Sequence, residues 1–192
     1  KMNGSANSAT HEARKNAFDA VVSLGLPTRK HEEYKYTPIS AELEKAFTGF
    51  SEDESQANKI DGNELPSVHG SVIVFANGKY ESILSEIKEE QGVEIKIITS
   101  QKELSGDSNN DLEDSYSKLN LALAATGVEI KVDKSVAAQT PIHIIHVANS
   151  ENGRVISTLR HTVEVAENAQ ATVCEYFVGK GDKASFTNSV VE

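Results

Sequence analysis

The chain has 192 residues and carries 29 acidic and 19 basic side chains, which gives a formal net charge of −10 at pH 7. This length is enough for one domain with a hydrophobic core or for two small domains. A surface this negative repels phosphate backbones and anionic lipid headgroups. It therefore argues against nucleic-acid and membrane-surface partners and leaves protein partners open.

The cysteine content and the absence of targeting signals favour a cytoplasmic protein. Cys174 is the single cysteine, so an intrachain disulfide is excluded and nothing in the sequence indicates an oxidising compartment. No window contains the roughly 18 consecutive apolar residues of a membrane span. The residues after Lys1 lack the apolar segment of a secretory signal. Because the chain starts at Lys1 and stops inside a predicted strand at Glu192, we expect a piece of a longer protein.

A helix is predicted from Glu12 to Leu24, where apolar side chains recur at spacings near 3.6 residues. Ser8 or Thr10 is the expected N-cap, because both residue types accept hydrogen bonds from the first free backbone N–H groups of a helix. Gly25 is the expected stop, since glycine readily adopts the left-handed conformation that ends helices.

A polar connector and a shorter helix follow. The connector runs from Gly25 to Pro38, and the second helix is predicted from Ala41 to Phe47 with Ser40 as its N-cap. Residues 51–67 are acidic and polar, so we predict a mobile loop there.

Strand patterns dominate the rest of the chain. Two runs, Ser71–Ala76 and Lys79–Leu84, flank Asn77-Gly78, a dipeptide that accepts the positive φ angles of a tight hairpin turn. Val93 to Ile97 alternates between apolar and polar residues and predicts a further strand. Leucines at helical spacing predict a helix that includes Leu112 to Leu123. Its expected caps are Asn110 or Asp111 at the start and Gly127 at the end.

Five short strands without an intervening helix are predicted after this point. They cover residues 128–132, 142–147, 161–165, 171–177 and 185–191. The stretch 142–147 is apolar on both faces, whereas 128–132 and 161–165 alternate. Such a run is typical of a sandwich, a jelly roll or a β-solenoid, and the periodicity alone leaves the choice open. We find no repeat of fixed length, which counts mildly against a regular solenoid.

The histidines suggest a metal site that the strand geometry opposes. The six are His11, His31, His69, His143, His146 and His161. In the sharpest version, the last three lie on neighbouring strands with Cys174 and supply nitrogen and sulfur ligands. However, His143 and His146 are three residues apart, so in a strand they point to opposite faces. We therefore expect structural histidines and no tightly bound metal.

No other residue pattern predicts catalysis. Cys174 lies between Val173 and Glu175 and lacks the cationic neighbour or helix N-terminus that a reactive thiolate needs, so we predict an inert thiol. Nucleotide-binding and hydrolase motifs are absent from the sequence. The connector contains a small basic and aromatic cluster that we interpret as a packed segment, with anion binding as the alternative. Its members are Arg29, Lys30, Tyr34, Lys35 and Tyr36.

The connector also carries a family resemblance. Its stretch from Gly25 to Thr37, GLPTRKHEEYKYT, resembles the Gly-Leu-Pro-x-x-Lys-x-Glu-x-Trp-Lys-Tyr-Thr stretch near the start of SufD-type proteins of the SufB/SufD family. Tyr34 stands where many relatives have Trp, which exchanges one amphipathic aromatic side chain for another. Three further stretches agree in the same order. They run from Val74 to Tyr80, from Leu119 to Ile142 and from Arg160 to Asn188.

This resemblance implies both a fold and a role. The fold is mainly β with an N-terminal helical segment, and its core is a right-handed parallel β-helix that is truncated here at its C-terminal side. The implied role is that of a non-enzymatic scaffold, which works with the paralogue SufB and the ATPase SufC in a SufBCD complex that assembles iron–sulfur clusters. The family's cluster-related residues and SufC-docking helices lie towards the C-terminus. We therefore assign no catalytic, cofactor-binding or metal residue, and we expect the cluster to be handled by the whole complex.

The domain organisation and the alternatives follow from the same comparison. Residues 1–67 form the predicted helical region with its acidic loop, and residues 68–192 start the β-helix core. The hairpin and helix occupy 68–127 and the regular coils 128–192. An uncovered final coil predicts self-association through its edge. The alternatives are SufB itself, which often carries extra cysteines, a structural or carbohydrate-binding β-solenoid module with exposed aromatic stripes, and a metal-dependent cupin-like enzyme.

Overall fold

The structure, a computed structural model, describes residues 9–49, 60–101, 103–104 and 114–192. Three α-helices and eight β-strands lie in these ranges. The helices are α1 (Ala9–Leu24), α2 (Ile39–Phe47) and α3 (Ser115–Leu123). The strands are β1 (Ser71–Ala76), β2 (Lys79–Tyr80), β3 (Val93–Ile98), β4 (Gly127–Val132), β5 (Ile142–Asn149), β6 (Val155–Val165), β7 (Val173–Lys180) and β8 (Ser185–Val191). No helix of the described part is long and apolar enough to cross a membrane.

The strands form two mixed sheets of four strands each. The first has the order β2-β1-β5-β7 and the second the order β3-β4-β6-β8. From β4 onward, consecutive strands alternate between the sheets, and each pairs in parallel with the strand two positions earlier. The expected parallel stacking after Val128 is therefore confirmed. Because β2 and β3 add antiparallel partners, the sheets are mixed and a right-handed parallel β-helix is not confirmed.

The main hydrophobic core lies between the two sheets. Alternate side chains along each strand point towards the opposite sheet. The buried members are Ile73, Phe75, Val128, Ile130, Val132, Ile142, Ile144 and Leu159. A second cluster, with Val74, Ile145 and Val147, covers the outer face of the first sheet. All eight residues of β5 are consequently buried, which explains why the sequence of this strand is apolar on both faces.

The helices pack on the outside of this body. Ala17 of α1 meets Leu121 and Ala122 of α3 in a small buried cluster. The side chain of Asn120 then joins α3 to the second sheet, because its Nδ2 donates to the carbonyl oxygens of Leu159 (2.7 Å) and Asn188 (3.0 Å). The helical pair is thus held on the sheet by a buried amide.

The first two helices differ in detail from the sequence prediction. α1 begins at Ala9, so Thr10 lies inside the helix and does not cap it, while Ser8 falls outside the described residues. Gly25 has a φ of 73° directly after the helix, as expected. The prediction that Ser40 caps α2 is wrong. The Ser40 hydroxyl donates instead to the carbonyl oxygen of Pro27 at 2.6 Å, and α2 begins one residue before it.

The third helix also starts and ends at other residues than predicted. Asp114 is its N-cap, and the carboxylate accepts a hydrogen bond from the Ser117 N–H at 2.9 Å. The predicted caps Asn110 and Asp111 lie outside the described residues. Gly127 does not end the helix but begins β4. A Cβ atom there would lie 1.7 Å from the carbonyl oxygen of Arg160, so this close strand contact explains the glycine.

The predicted hairpin is present but short. Asn77 and Gly78 have φ values of 47° and 78° and connect β1 to β2. β2 contains only two residues, because Ser82–Leu84 form a 3₁₀ turn in place of the predicted strand. Of the predicted acidic loop, residues 50–59 lie outside the described residues, and Gly62–Glu64 form another short 3₁₀ turn.

Candidate functional site

A polar group interrupts the apolar space between the two sheets. Strand alternation directs His146 of β5, His161 of β6, Glu175 of β7 and Ser189 of β8 into this space. We name these four residues the His–Glu cluster. The two imidazole rings have centroids 5.3 Å apart. His146 is 3% exposed and His161 is fully buried.

Aromatic rings enclose the cluster on two sides. Phe75 of β1 lies 6.0 Å from the His146 ring and 5.5 Å from the His161 ring, measured between centroids. Phe177 of β7 stacks on the opposite face of the stack order, with a centroid distance of 4.9 Å to His146. These apolar rings keep water from the imidazoles and so raise the cost of any charge on them.

Glu175 is the acceptor at the centre of the cluster. Its Oε1 accepts hydrogen bonds from Nε2 of His146 (2.7 Å) and from the hydroxyl of Ser189 (2.5 Å). Burial alone would raise the pKa of Glu175, but these hydrogen bonds and the neighbouring imidazoles outweigh it, and the pKa is lowered. With 25% of its side chain exposed, Glu175 is an ionised carboxylate at the accessible side of the cluster.

His161 is held as a neutral imidazole. Burial, with a further contribution from His146, lowers its pKa to about 3, although Glu175 acts in the opposite direction. The backbone N–H of Val128 donates to Nδ1 of His161 at 3.1 Å. The proton of the neutral ring is therefore on Nε2.

Two buried nitrogen atoms of the cluster are unpaired. Neither Nε2 of His161 nor Nδ1 of His146 has a hydrogen-bond partner among the described residues. Buried polar atoms in native proteins usually have a partner, so such atoms indicate an additional ligand or a functional role. The donor atoms of His146, His161 and Glu175 all lie within 4.8 Å of one another, which makes these three residues a candidate metal-binding group within the described ranges.

The other two members of the sequence-based metal hypothesis lie on the outer side of the first sheet. His143 contacts the carbonyl oxygen of His69 through Nε2 (3.1 Å), and its Nδ1 accepts from the hydroxyl of Tyr176 (3.2 Å). Cys174 is the register partner of His143 and is half-buried. The argument that His143 and His146 face opposite sides is thus confirmed, and Cys174 does not join the cluster.

The remaining histidines are dispersed. His31 accepts a hydrogen bond from the Thr28 N–H at 3.0 Å within the connector, and His69 is exposed. His11 is half-buried on α1. The structure therefore brings together two of the six histidines in the cluster.

The connector has one structural anchor. The hydroxyl of Tyr34 donates to Asp114 at 2.7 Å, and its ring lies 5.6 Å from that of Tyr116. This hydrogen bond, together with burial and nearby negative charge, raises the pKa of Tyr34 to about 12. Tyr36 is 86% exposed. The packed interpretation of the connector therefore holds for Tyr34, which joins it to the start of α3, and not for Tyr36.

An open groove lies between the connector and α2. Its volume is about 970 Å³. Arg29 and Lys30 line it on the connector side, and Leu43 and Phe47 on the α2 side. The groove is mixed in character and contains no cluster of converging polar groups comparable to the His–Glu cluster.

Sequence reasoning missed Glu175 and Ser189. Glu175 was treated only as the neighbour that makes Cys174 unreactive. The available signal was its position between Val173 and Phe177, since alternation places a glutamate on the same face as two apolar side chains. A carboxylate on an inward face of a strand requires a partner, and His146 and Ser189 are those partners.

Comparisons with known proteins place the chain in a family. Its residues 2–144 match the family model described as the SufBD protein N-terminal region. The chain is 31% identical over 172 residues to the iron–sulfur cluster assembly protein SufD of Escherichia coli, which covers 88% of this chain and 39% of that protein. It is 23% identical over 184 residues to an iron–sulfur cluster assembly SufBD family protein of Synechocystis, with 92% and 41% covered.

The architecture defines a mainly β protein with peripheral helices and a buried histidine–carboxylate cluster. Because the family model covers most of the sequence, the chain belongs to the SufB/SufD family, and it is SufD-like. It spans about two fifths of the length of these two curated relatives. Of the cluster, all four residues lie after the range that the family model matches.

Proposed function

We propose that this protein acts in iron–sulfur cluster assembly as a SufD-like scaffold component of a SufBCD complex. The observation that carries the proposal is the match of residues 2–144 to the SufBD N-terminal region, together with the 31% identity to a protein named for that role. Its partners in this proposal are the paralogue SufB and the ATPase SufC, and its place of action is the cytoplasm.

We further propose that the chain serves as a structural element and not as an enzyme. The polar groups of the His–Glu cluster are enclosed by Phe75 and Phe177, and no wide cavity opens onto them in the described structure. A substrate site normally combines a concave apolar surface with converging polar groups. The groove at α2 has the concave surface, and the His–Glu cluster has the polar groups, but the two are separate.

The two sheets are proposed to be the first turns of a right-handed parallel β-helix, with residues 1–67 as the helical region ahead of it. The supporting feature is the register. Ile142 lies opposite Val173 and Val155 opposite Ser185, which are offsets of 31 and 30 residues. A nearly constant offset in both sheets is what a coil of uniform length produces.

The carbohydrate-binding alternative lacks its expected feature. Such a module would present aromatic side chains in a row on one sheet. In the described ranges, the strongly exposed aromatic residues lie on three different elements. They are Phe18 on α1, Tyr36 in the connector and Phe177 on β7. This distribution favours the scaffold.

Co-purification tests the proposed partners. SufB and SufC are expressed together with either this chain or the SufD of Escherichia coli, and each is isolated through a tag on SufB. We expect this chain to be retained with SufB but to carry less SufC than the longer relative, since the resemblance places the SufC-docking helices towards the C-terminus of the family. Retention of SufC at the level of the longer protein would move the contact into the helices or the connector.

A functional test uses a strain that lacks its own SufD. The expected result is that the protein restores the activity of an iron–sulfur enzyme when it is supplied with the family's C-terminal part, for example as a chimera with that part of Escherichia coli SufD. A chimera that accumulates normally and joins SufB and SufC, yet leaves the iron–sulfur enzyme inactive, would contradict the proposed role.

A further inference from the structure

We propose that His146, His161 and Glu175 form a reversible binding site for one divalent transition-metal ion. The three side chains come from three different strands and converge in the space between the sheets, with donor atoms within 4.8 Å of one another. This departs from the sequence-based expectation of no metal, which considered His143 and Cys174 as ligands and did not include Glu175.

The ligand set defines the class of ion. Two imidazole nitrogens and one carboxylate are the protein ligands of several catalytic zinc sites and of the 2-His-1-carboxylate iron(II) sites. Calcium and magnesium prefer sites built entirely from oxygen atoms, so they fit this group poorly. The chemistry therefore favours Zn²⁺, Fe²⁺ or Co²⁺.

The unpaired nitrogen atoms are the independent indication of a ligand. His161 is fully buried and His146 is 3% exposed, and each has one ring nitrogen without a hydrogen-bond partner among the described residues. Both nitrogen atoms lie in a region that Phe75 and Phe177 shield from water. An ion bound by both rings would satisfy the nitrogen atoms that the protein leaves unpaired.

Competing hydrogen bonds make the binding reversible. Metal coordination by Nε2 of His161 requires its proton to move to Nδ1, which breaks the hydrogen bond from the Val128 N–H. If Glu175 coordinates through Oε1, the ion also competes with the hydrogen bonds from His146 and Ser189. A chelator should consequently remove the ion without unfolding the protein.

The accessible side of the site is at Glu175. This carboxylate has 25% of its side chain exposed, whereas the two histidines are sealed behind it. Its lowered pKa keeps it ionised at neutral pH, so it offers a negative charge to an approaching cation. The ion would therefore meet the carboxylate first and the imidazoles second.

Cobalt provides the test, because bound Co²⁺ absorbs visible light in a way that depends on its ligands. Untagged protein, freed of metal with EDTA, is titrated with Co²⁺ alone, and the stoichiometry is checked by elemental analysis. We expect one Co²⁺ per chain and an increase of the thermal unfolding midpoint that EDTA reverses. No saturable binding at one ion per chain would overturn the proposal.

Three variants locate the site. Glu175→Gln keeps the shape and a hydrogen-bond acceptor for His146 but removes the charge, and it should weaken Co²⁺ binding by ~10–100-fold or more. His146→Gln should do the same. The matched control is His143→Gln, which changes a histidine of the same strand on its outer side and should leave Co²⁺ binding unchanged. Circular dichroism in EDTA verifies that each variant is folded.

The proposal is wrong if Co²⁺ binding survives both cluster substitutions, or if His143→Gln weakens it as much as His146→Gln. These measurements use the isolated protein and need neither SufB nor SufC. A failure of metal binding is therefore distinguishable from a failure of the proposed scaffold role.

Discussion

The sheets and the helices of this protein are held in place by different interactions. All eight residues of β5 are buried, whereas none of the nine residues of α2 is. Only Arg14 and Ala17 are buried among the described side chains of α1. The sheets therefore owe their stability chiefly to removal of apolar surface from water, and the helices contribute little to that term.

Arginine side chains make the contacts that hold the helices. Arg14 of α1 donates to the carbonyl oxygens of Ala122 and Ala124 at the end of α3. Arg154, between β5 and β6, donates to those of Ala46 (3.1 Å) and Thr48 (3.0 Å) at the end of α2. A cation at a helix C-terminus is favourable because the last carbonyl groups lack partners in the helix. The comparison teaches that the helices are attached through a few directional contacts, so they should detach before the sheets unfold.

The largest effect is expected from the core between the sheets. Replacing Ile144 by Ala removes a fully buried side chain and leaves a cavity, so the free energy of unfolding should fall by about 2–5 kcal/mol. Urea denaturation followed by circular dichroism measures it. Ile83→Ala is the control, because Ile83 is 93% exposed and its loss should change little. Equal losses in the two variants would contradict the proposed role of the inter-sheet core.

Acid should destabilise the sheets through His161. Its folded-state pKa of about 3 lies below the ordinary value of 6.5, so the unfolded chain binds more protons between these pH values. Stability is therefore fully present above pH 6.5 and is lost as the pH falls towards 3. For one group the loss is about 1.4 kcal/mol per pH unit. Glu175, whose pKa is also lowered, adds a loss in the same direction at the acidic end.

Urea unfolding in EDTA at pH 7.5, 6, 5 and 4 checks this prediction. Nuclear magnetic resonance of the imidazole nitrogens gives an independent observation, since His161 should keep its proton on Nε2 and remain neutral at pH 5. A free energy of unfolding that is the same at pH 7.5 and pH 5 would contradict the burial of a neutral His161.

Arg14→Met sharpens the comparison between the two regions. The substitution keeps an apolar stem but leaves the carbonyl oxygens of Ala122 and Ala124 without this donor, which should cost about 1–3 kcal/mol. Hydrogen exchange is the appropriate measurement, because we expect faster exchange in α1 and unchanged exchange in β5. If β5 exchanges faster to the same extent as α1, the helices and sheets unfold together and the distinction between them is wrong.

Tyr34→Phe tests the anchor of the connector. It removes the hydrogen bond to Asp114 while keeping the ring contact with Tyr116, so a loss of about 1 kcal/mol is expected. Tyr36→Phe, at an exposed position, is the matched control and should be neutral. The difference between the two variants in thermal unfolding gives the result, and equal midpoints would show that the anchor contributes nothing.

The smallest effect is expected at Cys174. Because its side chain is half-buried on the outer side of β7, Cys174→Ala should cost at most about 1 kcal/mol and leave cluster assembly intact. Complementation of a strain without SufD, with the C-terminal part of the family supplied, is the readout. Normal protein abundance with loss of iron–sulfur enzyme activity would assign a chemical role to this thiol.

The strands were predictable because their signal is local. Asn77-Gly78 marks the hairpin, and alternation or continuous apolar sequence predicts a strand in each of β3 to β8. The helix starts were less predictable, because a hydroxyl such as that of Ser40 has several acceptors within reach. Its choice of the Pro27 carbonyl depends on how the connector folds.

The His–Glu cluster depends on contacts that no local pattern records. Glu175 meets His146 across 29 positions and Ser189 across 14. The repeat that brings them together is an offset of 30 or 31 residues between coils. Only two such coils are present, and the preceding pairing of β1 with β5 spans the hairpin, β3 and α3, which conceals the period.

The attachment of α3 through Asn120 has a consequence for the order in which the chain folds. The amide of Asn120 bonds to the carbonyl oxygens of Leu159 and Asn188, which follow it by 39 and 68 positions. During synthesis, α3 can therefore form its own turns early but has nothing to dock against until β6 and then β8 have left the ribosome. α1, which rests on α3, must wait with it. The first residues to be made are thus among the last to reach their final places, and over that interval their apolar faces are open to chaperones.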